Sequence, residues 1–131
     1  MNMQDIIPYL RDKLPTLLAI YAFGSRVSGT AGPESDLDLA VLVEGKTDAV
    51  TLWHLAGALA DIAGCAVDLL DLRTASTVMQ YQILTTGRRL WAKDLQAELF
   101  ECFILSEKTA LDEARAPLLQ RIQQEGSVYG R

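Results

Sequence analysis

At 131 residues, half of them apolar and 22% charged, the chain suits one compact domain with its own core and is too hydrophobic for a disordered polymer. A formal net charge of −5 argues against a freestanding binder of duplex nucleic acid, whose phosphates are gripped by surplus Lys and Arg. No apolar run approaches the ~20 residues that span a bilayer, and the N-terminus MNMQDIIPYLRDKL has charges where a secretion signal needs its apolar stretch; a soluble, cytoplasmic protein is expected.

Ile6, Ile7, Leu10 and Leu14 recur at helical spacing behind Asp5 as a cap, with Pro8 in the first turn and Pro15 ending the helix. TLLAIYAF, residues 16–23, then reads as a buried strand stopped at Gly24, and a short helical turn is expected over 25–28. DLDLAVLV, residues 36–43, is a second strand bounded by Glu44-Gly45. Thr47 can cap a helix carrying Val50, Trp53, Leu55, Leu59 and Ile62, closed by Gly64. AVDLLDL, residues 66–72, is a third short strand; residues 74–86 are helical, and Gly87 leads to a strand around 89–92. From about Asp94 the chain is helix-forming, with Leu95, Leu99, Phe103 and Ile104 inward, interrupted or restarted at Pro117 and ending near Gly126. Trp53, Trp91 and Phe103 are expected in the core, and Cys65 and Cys102 as buried free thiols. The alternation predicts an α/β or α+β domain, a small mixed sheet flanked by helices. His54, the sole histidine, is expected on a helix surface, so a serine-histidine-aspartate triad or a histidine-rich metal site has little to rest on.

The acid is unevenly spread. Between residues 27 and 72 stand eight carboxylates and, as the one opposing lysine or arginine, Lys46, so this segment either repels itself or recruits cations. Its focus is GSRVSGTAGPESDLD, residues 24–38. Alternation along a strand puts Asp36 and Asp38 on one face, with Cα atoms about 6.5–7 Å apart. Two such carboxylates repel unless a cation lies between them, and magnesium suits them because it takes hard oxygen ligands from one or two carboxylates, water and substrate phosphate. A third carboxylate can come from the next strand. Asp68 and Asp71 have opposite parity, so a regular strand presents only one to a shared site; Asp68 is the better placed, and Asp71 suits the strand end, capping the following helix. Three carboxylates around two magnesium ions are the usual equipment for in-line displacement at phosphorus. Gly24 and Ser25 can let backbone and hydroxyl approach triphosphate oxygens, with Arg26, and more remotely Arg73, as cations for phosphate or simply surface charges.

Gly24-Ser25, ten intervening residues, then Asp36-x-Asp38 resembles the signature of the DNA polymerase β-like nucleotidyltransferases, and the compact length resembles their minimal (MNT) branch. At average composition this spacing arises by chance in roughly a few in a thousand chains of this size. Asp68 on a strand after the next helix and the GRRLW segment, residues 87–91, resemble the family's sequel. The resemblance covers about residues 17–92 of a single minimal domain spanning 1–131, with a less diagnostic helical segment over 94–126. It implies transfer of a nucleoside monophosphate from a nucleoside triphosphate, with Asp36 and Asp38 holding both of two Mg2+ ions, Asp68 completing the site as ligand or base, and Gly24 and Ser25 on the phosphates.

A bare module of this kind is similar to the antitoxins of HEPN/MNT toxin-antitoxin pairs. That resemblance implies ATP as substrate, AMP transfer to a tyrosine of a cognate HEPN ribonuclease toxin, and a toxin-bound hetero-oligomer. Two other readings keep the fold: an antitoxin that neutralises by binding without catalysis, and a nucleotidyltransferase for small molecules that pairs with itself. The C-terminal run LLQRIQQEGSVYGR is either a partner-binding helix and tail or an exposed end, with Tyr129 accessible in it.

Overall fold

The computed structural model describes residues 3–28 and 36–125. The 29–35 stretch of the Gly-Ser loop, Gly126 and Tyr129 lie outside the described residues. The described residues form helix α1 (Met3–Lys13), strand β1 (Leu17–Phe23), the one-turn helix α2 (Ser25–Ser28), β2 (Leu37–Val43), α3 (Ala49–Ala63), β3 (Val67–Asp71), a 3-10 turn (Leu72–Thr74), α4 (Thr77–Thr86), β4 (Arg88–Ala92) and α5 (Gln96–Glu125). The strands make one mixed sheet in the order β3-β2-β1-β4. β1 runs antiparallel to β2 and β4, whereas β2 and β3, joined through α3, are parallel.

β1 and β2 are almost wholly buried because helices cover both sheet faces. On one face Ile6 and Leu10 of α1 and Leu55 and Leu59 of α3 meet Leu37, Leu39 and Val41 of β2. On the other, Leu18 and Tyr21 of β1 and Leu42 of β2 meet Leu72, Ile83 and Ala97. Truncating a fully buried residue such as Leu59 to alanine would cost about 2–5 kcal/mol. A polar tie fastens α5 to the second face. The Tyr21 hydroxyl donates to Glu101 at 3.0 Å, and Arg89 Nη1 donates to the same carboxylate oxygen at 2.7 Å. Burial, reinforced by the Glu101 anion, keeps the Tyr21 hydroxyl protonated far above its ordinary range.

Several local expectations change. α1 starts at Met3, so Pro8 falls beyond the first turn, where it offers no N–H to the preceding turn. α3 is capped by Asp48, whose side chain accepts from the Thr51 amide at 2.7 Å, and not by Thr47. Val50 and Trp53 are 64% and 75% exposed: α3 is apolar nearly all round, and its buried stripe is Leu55, Leu59 and Ala63. In α5 both 95/99/103 and 97/100/104 have helical spacing, so periodicity alone does not choose between them. Ala97 and Ile104 are buried, Phe100 packs beside them, and Leu95, Leu99 and Phe103 stay exposed. Pro117 lies inside α5 without interrupting it. Cys65 is half-buried and Cys102 exposed, both free thiols, and His54 is exposed as expected.

Candidate active site

The parallel pairing of β2 and β3 sets the site. In that register Asp38 stands directly opposite Asp68, so the two side chains share one sheet face. Their strand neighbours Leu37, Leu39, Val67 and Leu69 turn to the other face and pack with α1 and α3. Asp36, exposed, immediately precedes β2. Burial first, then the negative charges of Asp68 and Asp36, push the half-buried Asp38 carboxyl above the ordinary carboxylate range. The structure therefore brings Asp36, Asp38 and Asp68 into one electrostatic neighbourhood at the end of the sheet.

The Gly-Ser turn abuts this cluster. Gly24 ends β1 in the left-handed region, φ 80°, and a Cβ there would collide with Asp38 Oδ2 and come within 3.1 Å of its Cγ. Only glycine lets β1 turn so close to the carboxylate. Ser25 opens α2, whose first turn is closed by the Val27 amide donating to the Gly24 carbonyl at 3.2 Å. Arg26 belongs to α2 by its backbone, and its side chain lies outside the described residues.

Asp71 stands apart, as its parity requires. It is 4% exposed; Oδ2 accepts from the Thr47 amide at 3.1 Å and Oδ1 from the Arg73 amide at 3.0 Å, capping the 3-10 turn. Arg73 is likewise committed to structure: Nε and Nη2 donate to the Val43 carbonyl, and the guanidinium lies 5.1 Å from the centre of the Phe100 ring.

The donor set is all carboxylate oxygen, which suits magnesium and poorly suits zinc. Among the described residues no three Asp, Glu, His or Cys side chains are arranged to hold a metal ion by themselves. An ion here would thus share its ligands between the aspartates and other oxygens, as magnesium does with water and nucleotide phosphates. The raised Asp38 fits that role, because a cation offsets both the burial and the repulsion from Asp68 and Asp36 that push it up.

Residues 4–96 match the protein family described as Polymerase beta, Nucleotidyltransferase. The protein adenylyltransferase MntA of Shewanella oneidensis is 39% identical over 122 residues, 93% of this chain and 88% of that protein. A crystal structure of a toxin-antitoxin with AMP-PNP contains a chain 39% identical to this one, at a TM-score of 0.82, covering 94% of this chain and 99% of the other. A chain in the complex of the tri-AMPylated Shewanella oneidensis HEPN toxin with its MNT antitoxin is 37% identical, at a TM-score of 0.75, covering 93% and 96%. No described helix is long and apolar enough to cross a membrane.

Proposed function

The chain belongs to the polymerase β nucleotidyltransferase family, and from that premise we propose that it is a protein adenylyltransferase that transfers AMP from ATP to a tyrosine hydroxyl of a cognate HEPN toxin, acting as its antitoxin. The observation that carries this reading is the registered pair Asp38 and Asp68, with Asp36 beside it and Gly24 packed against Asp38. It is supported by the likeness to MntA and to the MNT antitoxin solved with an AMPylated HEPN toxin.

In the transfer, the acceptor oxygen forms a bond to the α-phosphorus of ATP, the bond from that phosphorus to the bridging oxygen breaks, and pyrophosphate leaves. The Gly24-Ser25 turn holds the triphosphate by close backbone approach and the serine hydroxyl, with Arg26 adding positive charge. Asp36 and Asp38 would hold two Mg2+ ions, with Asp68 completing the second site. Those ions, when bound, neutralise charge on the attacking and leaving oxygens. Asp68, the outer member of the acidic row, orients the acceptor hydroxyl and takes its proton. The whole chain works as one minimal domain in the cytoplasm, where ATP is at hand.

The test is purified chain, ATP and magnesium with the HEPN protein encoded beside it, analysed by intact-protein and peptide mass spectrometry. The expected result is an AMP adduct on a tyrosine of the HEPN protein that disappears with Asp36→Asn. A stable complex that silences the HEPN nuclease with no adduct would point to neutralisation by binding and overturn the catalytic reading.

A further inference from the structure

β3 is the outermost strand of the sheet on the Asp68 side. Its inner edge is occupied: the Leu37 amide donates to the Ala66 carbonyl at 2.9 Å, and the ladder with β2 continues to Asp71. By alternation, the N–H and C=O groups of Val67 and Leu69 face the other way, along an edge that pairs with no strand among the described residues. An unpaired edge is a template for another strand. Beside it, between β3 and α3, runs a groove of about 700 Å3 lined by Ala49, Trp53, Gly57, Ala60, Val67 and Asp68 among others. Trp53 is 75% exposed above this small-residue floor, and a Cβ at Gly57 would meet nothing within 4 Å beyond its chain neighbours and the helix's own backbone.

We propose that this edge and groove form the acceptor site: an extended, basic segment of the protein substrate adds as a fifth strand beside β3. The inference rests on the adenylyltransferase reading above. Two observations select this occupant. The groove's lining carries the exposed carboxylate of Asp68, with that of Asp71 buried behind it, and no lysine or arginine, so the complementary segment carries Lys or Arg. The groove also reaches the candidate catalytic row, because Asp68 lines both. A strand paired to β3 places the residue opposite Asp68 on the same sheet face, continuing the row Asp38, Asp68, acceptor, with cross-strand Cβ atoms about 5 Å apart. A hydroxyl-bearing side chain at that position is thus delivered to Asp68 by backbone pairing, while Trp53 covers a neighbouring apolar side chain.

The test uses the full chain with the HEPN protein as acceptor and reads hydrogen exchange and kinetics together. Binding of the HEPN protein should slow exchange of the Val67 and Leu69 amides at least tenfold. Gly57→Lys, which fills the groove, adds like charge against a basic segment and replaces glycine inside a helix, should melt no lower than the parent. It should raise KM for the HEPN protein at least tenfold and leave KM for ATP unchanged; Trp53→Ala should act in the same direction. Unslowed exchange at Val67 and Leu69, or an unchanged acceptor KM in Gly57→Lys, overturns the proposal even if AMP transfer proceeds. Slowed exchange at both amides without any adduct supports the groove and instead overturns the adenylyltransferase reading.

Discussion

Asp38 carries the electrostatic tension of the molecule. Its carboxyl is held above its ordinary range by burial and by Asp68 and Asp36, so the folded protein binds that proton more tightly than the unfolded chain does. For a raised carboxylate the sign is fixed: charge on Asp38 costs stability at neutral pH, and the cost fades as pH falls through the carboxylate range. Asp38→Asn should therefore abolish AMP transfer yet melt at the same or a higher temperature than the parent at pH 7 in chelator. The gap should close on acidification, as read by thermal denaturation at several pH values. A markedly lower melting point at pH 7 would mean that Asp38 is a structural residue. This tension was legible in the sequence, because Asp-x-Asp at the start of an apolar strand places two like charges on one face. The contact of Gly24 with Asp38 was not, since it depends on the register between β1 and β2, with Phe23 opposite Asp38.

β3 sets two aspartates in different environments. Asp68 is exposed beside Asp38, whereas Asp71 is buried and supplies acceptors to the Thr47 and Arg73 amides. Asp71→Ala leaves both amides without their partner, at about 1–3 kcal/mol each, so a loss of about 2–6 kcal/mol is expected in urea denaturation. Asp68→Ala should change stability by no more than about 0.5 kcal/mol while abolishing transfer. Equal stability losses in the two variants would contradict the division. Strand parity was enough to anticipate it. The helices are harder to read: α3 is apolar nearly all round and the α5 region has two competing stripes, so Trp53, Leu95, Leu99 and Phe103, expected inside, are exposed. What decides there is tertiary, the fit of Leu55 and Leu59 on β2 and the Tyr21–Glu101–Arg89 tie that turns α5.

The order β3-β2-β1-β4 lets a short chain gather its acidic residues and the Gly-Ser turn at one place. The two acidic strands are neighbours, the Gly-Ser turn leaves the adjacent strand, and helices seal both faces behind them. The strand sequence and the acid spacing were readable in advance because strand periodicity and breaker residues are local signals. The open edge of β3 was not, since which strand is outermost depends on pairings far apart in sequence. On the proposed reading, carboxylates from two parallel strands and the adjoining turn bind nucleotide and magnesium as one unit. Isothermal titration of ATP into the full chain, with magnesium or with chelator, checks this. Binding should require magnesium in the parent protein and be lost in both Asp38→Asn and Asp68→Asn; magnesium-dependent binding of undiminished affinity in the two variants would contradict it.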